Sequence, residues 1–282
     1  MDPDDRQDLR AEIRRLKSEV RRLRKALDRL APPLEVLLRR RGFRVYKQEQ
    51  PDDLLLPPAP WLDRAYAMLH KYSFRIFLRD VIKHQQQFTP ELLARYATAR
   101  TIRAYADMLR DWGLADRGGA AGYGLRRRIL SFGPTLEWYV AELLKREFGA
   151  ETLRGVKFKR PAVGGDYDVL AKLDGMLLYV EVKSSPPKQI YDSEVSAFLD
   201  RVEDLHPDAA VFFMDTELRM KDKLVPMFEK AMAERSAYPP PVLRLERELF
   251  GVGERVFIVN AKESILQNME FVISRVLAGK NG

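Results

Sequence analysis

The chain has 282 residues, a formal net charge of +8 and 46% hydrophobic residues. This length allows one large domain or a few small ones, and the hydrophobic fraction is ample for their cores. The positive charge favours an anionic partner, either nucleic acid or an acidic membrane surface. No apolar run approaches the ~20 residues of a membrane-spanning helix and the N-terminus has no secretory pattern, so we expect a cytoplasmic protein with no membrane partner.

The residue types present restrict any metal site. The chain has no cysteine, and its three histidines, His70, His84 and His206, are scattered. Disulfides, cysteine-ligated zinc and a thiol nucleophile are therefore excluded, and a histidine metal cluster is disfavoured. A metal site would have to use oxygen ligands, which favours Mg²⁺ or Mn²⁺ as the cofactor.

Residues 1–31 carry a heptad pattern. Apolar residues recur at alternating spacings of four and three, at Leu9, Ile13, Leu16, Val20, Leu23, Leu27 and Leu30. An isolated helix of this kind has no core to lie on, so we predict a coiled coil that forms a homodimer through residues 9–30. Two other interpretations stay open: an amphipathic helix packed on its own domain, and an arginine-rich helix that contacts phosphates.

Residues 32–60 contain six prolines and predict a connector, with a short basic helix-to-strand segment at 34–47. Residues 61–130 then resemble a winged helix-turn-helix domain. We expect a helix over 61–87, a short helix starting at Pro90, a second helix over 100–113 capped by Thr98, and a glycine-rich hairpin over 115–128.

The winged-helix hypothesis assigns DNA-binding residues. The outward face of the second helix would enter a major groove and the hairpin would lie beside it. The candidate contacts are Arg100, Arg103 and Arg110 on the helix and Arg126, Arg127 and Arg128 at the hairpin. A small helical domain with a solvated charged face is the alternative.

Two strands, 165–173 and 176–183, meet at Asp174-Gly175, the strongest short hairpin signal in the chain. A two-residue turn pairs Leu173 with Met176, and counting outward sets Asp168 opposite Glu181. Lys183 falls on the same face, opposite Asp166, while the other face is entirely apolar. Opposed carboxylates destabilise a ladder unless a cation separates them, so this pattern predicts a divalent metal site.

The same residues resemble the core of the PD-(D/E)xK nuclease superfamily, which includes Holliday junction resolvases, Mrr-type restriction enzymes and RecB-type nucleases. The resemblance covers about residues 131–215 and consists of an acid on a preceding helix, an aspartate, a hairpin and the string Glu181-Val182-Lys183. Tyr167 stands where the superfamily name has proline. The RecB-type glutamine with a tyrosine four residues later is not matched, because Ser193 follows Gln189 at that distance.

The resemblance implies roles for individual residues. Asp168, Glu181 and the Val182 carbonyl would hold Mg²⁺, Lys183 would orient water or stabilise phosphoryl charge, and Glu137 would be an auxiliary catalytic acid. Asp166 is either a turn residue or a support for the metal ligands. Ser184, Ser185, Lys188 and Gln189 lie where related nucleases contact phosphate.

Residues 131–282 are expected to form one α/β nuclease domain, with a mixed sheet flanked by helices as in restriction endonucleases. The whole chain is then a metal-dependent DNA endonuclease, dimerised by a coiled coil and docked on DNA by a winged helix, as suits restriction or DNA repair. One alternative is a DNA-binding regulatory protein with a non-catalytic nuclease-like domain. Another is a nuclease acting on RNA, with the basic coiled coil on RNA or an anionic membrane.

Overall fold

The computed structural model describes residues 3–48, 54–119, 122–159 and 163–280. The chain divides into two compact units, Met1–Val45 and Tyr46–Gly282. None of the helices in the described ranges is long and apolar enough to cross a membrane.

The first unit contains helices α1 (Pro3–Leu30) and α2 (Leu34–Arg40), and strand β1 (Val45–Gln48) begins at its end. The predicted apolar stripe of α1 is exposed from Leu9 to Leu27, each of its six residues keeping 42–61% of its accessible surface. The side chain of Leu30 lies outside the described residues. Within the described residues of the first unit, the stripe is thus not covered by other side chains.

The second unit begins with four helices and a small hairpin. These are α3 (Leu62–Leu69), α4 (Tyr72–Lys83), α5 (Pro90–Leu93), α6 (Ala99–Asp111), β2 (Ala115–Arg117) and β3 (Tyr123–Leu125). The single helix expected over 61–87 is two helices, because the backbone is extended at Lys71. The Thr98 cap is confirmed, since its hydroxyl accepts a hydrogen bond from the Thr101 N–H at 3.2 Å.

The rest of the second unit alternates helices and strands. In chain order they are α7 (Gly133–Phe148), β4 (Glu151–Phe158), β5 (Tyr167–Leu173), β6 (Met176–Lys183), α8 (Asp192–Leu205), β7 (Ala209–Met214), α9 (Leu224–Ala233), β8 (Val242–Glu246), β9 (Leu249–Val252), β10 (Val256–Asn260) and α10 (Ile265–Lys280). Short 3₁₀ helices occur at Ala59–Trp61 and Pro187–Gln189.

Eight strands form one sheet in the order β1-β4-β5-β6-β7-β10-β9-β8. Strand β7 is parallel to both β6 and β10, whereas the pairs β4–β5, β5–β6, β9–β10 and β8–β9 are antiparallel. The predicted mixed α/β sheet flanked by helices is therefore confirmed. Strand β5 begins two residues after the expected position 165, and β6 has the expected bounds.

Helices cover both faces of the sheet. Val169, Val180 and Val182 share a hydrophobic core with residues of α7 and α10. On the opposite face, Tyr179 stacks near Phe198 of α8, with ring centroids 5.6 Å apart. The expected polar face is thus not open, because Leu170, Leu177 and Tyr179 are fully buried beside the acids.

The same core crosses the predicted boundary between residues 130 and 131. It joins apolar residues of α3, α4 and α6 to residues of α7 and the central strands. The helical segment and the sheet therefore belong to one compact unit rather than to two separately packed ones. The assignment of 61–130 as a winged helix stays a prediction.

Candidate active site

The turn that positions the site forms as predicted. Leu173 pairs with Met176 and Val169 pairs with Val180 across β5 and β6. Asp174 and Gly175 both have positive φ, 48° and 78°, which a two-residue type I′ turn requires. In this register the next pair outward is Asp168 and Glu181, as the sequence predicted.

Asp168 is held by the neighbouring strand. Its Oδ2 accepts a hydrogen bond from the Val182 N–H at 2.7 Å. Burial raises the pKa of Asp168 well above its ordinary value, and the charge of Glu181 raises it further. The two carboxyl groups therefore share one low-dielectric site and oppose each other's ionisation.

Glu181 is buried and contacted from three sides. It is only 3% exposed. Its Oε1 lies 2.9 Å from Lys183 Nζ, and its Oε2 lies 2.9 Å from Arg201 Nη1. The Tyr179 hydroxyl also donates to Oε2. Two cations thus neutralise this carboxylate inside the protein, and a phenol donates a hydrogen bond to it.

Lys183 bridges two carboxylates. Its ammonium lies 2.9 Å from Glu181 and 3.2 Å from Glu194, an acid in the first turn of α8. Burial acts to lower the pKa of Lys183, but the charge and hydrogen bond of Glu181 outweigh it and the pKa is raised. The lysine is therefore a cation in this site, suited to bind an anion rather than to act as a base.

The topology brings Glu137 to the same end of the sheet. Helix α7 ends at Gly149 and turns directly into β4, so the two run in opposite directions. Because β4 and β6 are both antiparallel to β5, the N-terminus of α7 lies where β6 ends. Glu137 is half-buried in the second turn of this helix. Its role as a catalytic acid stays a prediction.

Asp166 and Gln189 are the two further residues with predicted supporting roles. Asp166 makes an ion pair with Lys157 at 2.8 Å instead of facing Lys183, as the register had suggested. Gln189 is exposed in the 3₁₀ helix after β6. Their proposed contributions to metal or phosphate binding stay predictions.

The arginines expected to bind DNA are exposed or partly exposed, and several are paired with acids. Arg103 lies 3.0 Å from Glu91, Arg110 lies 2.8 Å from Asp107, and Arg126 lies 2.7 Å from Asp116. Arg127 donates to the Leu54 carbonyl. Within the described ranges Arg100 and Arg128 make no ion pair. Much of the charge on the predicted recognition helix is therefore compensated locally.

Sequence reasoning missed Arg201 and Tyr179. Tyr179 lies two residues before Glu181 and therefore on the same face of β6. Alternation along the strand could have identified it as a neighbour of Glu181. Arg201 comes from α8, and no local pattern marks it. Gly165, in the loop before β5, lies against the Arg201 guanidinium and has a φ of 105°. A Cβ added at Gly165 would lie only 2.8 Å from Arg201 Nη2. A glycine is thus needed for the loop before β5 to cover this arginine.

A buried cluster around Asp215 was also missed. Asp215 follows β7, and its N–H donates to the Lys183 carbonyl at 2.8 Å. Its carboxylate pairs with Arg75, at 2.9 Å, and with Arg79, both from α4. Arg75 and Asp215 are both fully buried. This cluster ties α4 to the end of the sheet where Lys183 lies.

The donor set fits a hard divalent cation. Among the described residues no group of three or more histidine, aspartate and glutamate side chains gathers to hold a metal. Asp168 and Glu181 nevertheless supply opposed oxygen ligands, and Mg²⁺ is commonly held by one or two carboxylates with water completing its shell. Burial and the charge of Glu181 raise the pKa of Asp168, and a bound cation would act to lower it.

Comparisons with known proteins assign no family. No protein-family profile and no curated protein matches the chain. Can2 from Sulfobacillus thermosulfidooxidans, in complex with cyclic tetra-adenylate, is similar with a TM-score of 0.42 and 16% identity over 66% of this chain and 52% of that one. VC1899 from Vibrio cholerae gives 0.41 and 13% over 68% and 53%. The chain spans about half the length of each, and likeness at this level assigns no function.

Proposed function

We propose that this protein is a metal-dependent nuclease that hydrolyses phosphodiester bonds in DNA. The observation that supports it most is the pair of opposed carboxylates, half-buried Asp168 and buried Glu181, with the ammonium of Lys183 beside them. Like charges opposed across a ladder destabilise a sheet, so such a pair requires counter-charges or a bound cation. In a site that hydrolyses phosphodiesters, the two carboxylates would bind the metal and the ammonium would stabilise phosphoryl charge.

Asp168 and Glu181 would hold Mg²⁺ or Mn²⁺, with the Val182 carbonyl as a third ligand. The ion, when bound, supplies a water of lowered pKa and neutralises phosphate charge. The polypeptide supplies the rest. The Val182 N–H fixes the Asp168 carboxylate, and the short turn at Asp174-Gly175 fixes the register that opposes the two acids.

Lys183 would stabilise negative charge on the phosphoryl oxygens. Its raised pKa keeps it protonated at neutral pH, and its side chain is 20% exposed, enough to reach a bound anion. Glu137, at the same end of the sheet, would be the auxiliary acid that reaches the metal directly or through water. Hydrolysis in this arrangement is expected to leave a 5′-phosphate, as the superfamily resemblance implies.

Substrate binding and assembly complete the proposal. Arginines of α6 and of the β2–β3 hairpin would contact DNA, and the exposed stripe of α1 would pair two copies of the chain. A dimer would present two nuclease sites, which suits cutting both strands.

One observation favours a second function. Both oxygens of Glu181 are already engaged, by Lys183 and Arg201, and the carboxylate is buried. A DNA-binding regulatory protein that keeps the nuclease-like domain for structure would show such internal neutralisation. The two functions differ in whether a divalent cation displaces these contacts.

Cleavage assays test the proposal. Plasmid, linear duplex, single-stranded, four-way-junction and RNA substrates are incubated with the protein and Mg²⁺ or with EDTA. We expect Mg²⁺-dependent cleavage of DNA that Asp168→Ala abolishes and Asp63→Ala retains. Asp63 is the matched acid because its side chain is 90% exposed on α3. No cleavage of any substrate would favour the regulatory function. Full activity of Asp168→Ala would refute the assignment of Asp168 to the active site.

A further inference from the structure

A large polar pocket lies outside the candidate active site, beside the base of the β2–β3 hairpin. Its volume is about 730 Å³, within the range of ~300–1,000 Å³ typical of small-molecule sites. It is lined by Lys83, His84, Gln85, Gln86, Gln87, Leu125, Arg127 and Arg128. None of these described lining residues is acidic, although acids are common over the rest of the surface.

The walls of this pocket are fixed by hydrogen bonds. Gln85 links both sides: its Nε2 donates to the carbonyls of Ile82 and Ile129, and its Oε1 accepts from the Ile129 N–H at 2.8 Å. The Leu125 N–H donates to the Gln85 carbonyl at 2.8 Å, and Phe88 pairs with Tyr123 as an isolated β-bridge. The end of α4 and strand β3 therefore form one rigid wall.

Gly124 is required for this close approach. A Cβ at Gly124 would lie 2.7 Å from the Gln86 carbonyl oxygen, a contact with backbone that cannot move aside. The Gln85 amide also covers the Ile82 carbonyl near the negative end of α4, which reduces the repulsion of an anion there.

The cations of the pocket are available to a ligand. Lys83 pairs with Asp80 at 3.3 Å one helical turn away, but its side chain is 68% exposed, so the pair is worth little and is readily exchanged. Arg128 is exposed and makes no ion pair within the described ranges. By contrast, Arg103 and Arg110 of α6 are paired with carboxylates.

We propose that this pocket binds phosphate groups of a nucleic-acid strand, with Lys83 and Arg128 as the charged contacts and Gln86 and Gln87 as hydrogen-bonding partners. This inference rests on the proposed function only for the identity of the polyanion. In this inference the main contact with the nucleic acid is made by the pocket beside the hairpin, rather than by α6, the second helix of the predicted winged helix. Each phosphate neutralised by the pocket adds about 0.9 to the steepness of the salt dependence of duplex binding.

Binding of a labelled DNA duplex is measured in EDTA by fluorescence anisotropy, over a series of salt concentrations. The variant Lys83→Glu/Arg128→Glu is compared with Lys145→Glu/Arg255→Glu. The control has the same charge change: Lys145 pairs with Glu142 one turn away and is 62% exposed, and Arg255 is exposed in the turn before β10. The milder Lys83→Ala/Arg128→Ala, compared with Lys145→Ala/Arg255→Ala, covers the case in which charge reversal impairs folding.

The pocket variants should weaken binding about tenfold or more and reduce the salt slope by about 2, whereas the controls change affinity less than about threefold. Equal weakening by both pairs, or unchanged binding by the pocket variants, would overturn the inference. Titration with inorganic phosphate distinguishes a nucleic-acid strand from free phosphate as the ligand of the pocket. If the pocket variants lose binding of inorganic phosphate but retain binding of DNA, the proposed docking of a strand is overturned.

These outcomes are independent of catalysis. Cleavage is absent in EDTA by design, so a failed nuclease proposal leaves the binding comparison readable. Conversely, if both variant pairs bind DNA equally, the pocket inference fails, while Asp168-dependent cleavage in Mg²⁺ would still support the nuclease proposal.

Discussion

Arg201 Nη1 lies 2.9 Å from Glu181 Oε2, and this contact joins helix α8 to the carboxylate pair of the central strands. The Arg201 side chain is 12% exposed, and its buried Nε has no hydrogen-bond acceptor among the described residues. Burial acts to lower the pKa of Arg201, but Tyr179 and Glu181 outweigh it and the pKa is raised. A buried donor without an acceptor is costly, and a phosphate oxygen or water would satisfy it.

The first prediction concerns this ion pair. Arg201→Met should lower the free energy of unfolding by about 3–5 kcal/mol, because it leaves the buried Glu181 charge without one of its cations. Urea denaturation of the metal-free protein measures the effect. Adding Glu181→Gln to Arg201→Met should recover part of the loss. Additive losses in the double variant would show that the two side chains do not interact energetically.

The second prediction concerns the pH dependence of stability. The pKa of Asp168 is raised by burial and by Glu181, so the folded state favours the protonated form. Its favourable contribution is therefore complete below the ordinary aspartate pKa and is lost as the pH rises through the raised value. Asp168→Asn should be more stable than the natural protein at neutral pH in EDTA, with a difference that shrinks on acidification.

Thermal unfolding over a pH series checks this expectation. Asn keeps an oxygen that can accept from the Val182 N–H, so the comparison isolates the charge. Asp63→Asn is the exposed control. The raised pKa would be refuted if the natural protein were more stable than Asp168→Asn at neutral pH and this advantage decreased in acid.

The third prediction concerns the buried cluster at the end of β7. Asp215→Ala should destabilise the second unit by about 3–5 kcal/mol, because Arg75 would keep a buried charge with no carboxylate. Asp63→Ala, which removes an exposed partner of Arg146, should cost less than about 1 kcal/mol. Denaturant titration measures both. Similar small losses would show that the Asp215 pairs contribute no more than surface ones.

The fourth prediction concerns assembly through α1. Leu16→Asp/Leu23→Asp places charges in the exposed stripe, where Leu16 is 54% and Leu23 is 57% exposed. We expect the natural chain to sediment as a dimer and this variant as a monomer, because charges at seam positions cannot be buried in a coiled coil. The control Arg15→Asp/Arg22→Asp changes exposed residues off the seam. A monomeric natural chain would contradict the homodimer.

The sequence predicted the site well where the signal was local. The Asp174-Gly175 turn fixed the register of β5 and β6, and the register opposed Asp168 to Glu181. Binary alternation also predicted the apolar face of the hairpin, whose Val169, Val180 and Val182 lie in the hydrophobic core. These inferences succeed because turn chemistry and strand periodicity act over a few neighbouring residues.

The parts that were missed depend on contacts distant in sequence. Arg201 approaches Glu181 from a helix twenty residues later, and Arg75 approaches Asp215 from a helix 140 residues earlier. No periodicity encodes such pairs. The burial of the polar face by α8 and α9 likewise depends on tertiary packing, so alternation alone suggested a more open site than the structure has.

Anomalous diffraction from crystals soaked in Mn²⁺ is the decisive test of the proposed metal site, because it locates the ion without reference to activity. We expect a peak about 2.0–2.2 Å from carboxylate oxygens of both Asp168 and Glu181, with Arg201 or Lys183 displaced from Glu181, and no such peak in Asp168→Asn. An empty position between these two carboxylates at saturating Mn²⁺, with Glu181 still bound to Arg201 and Lys183, would contradict it.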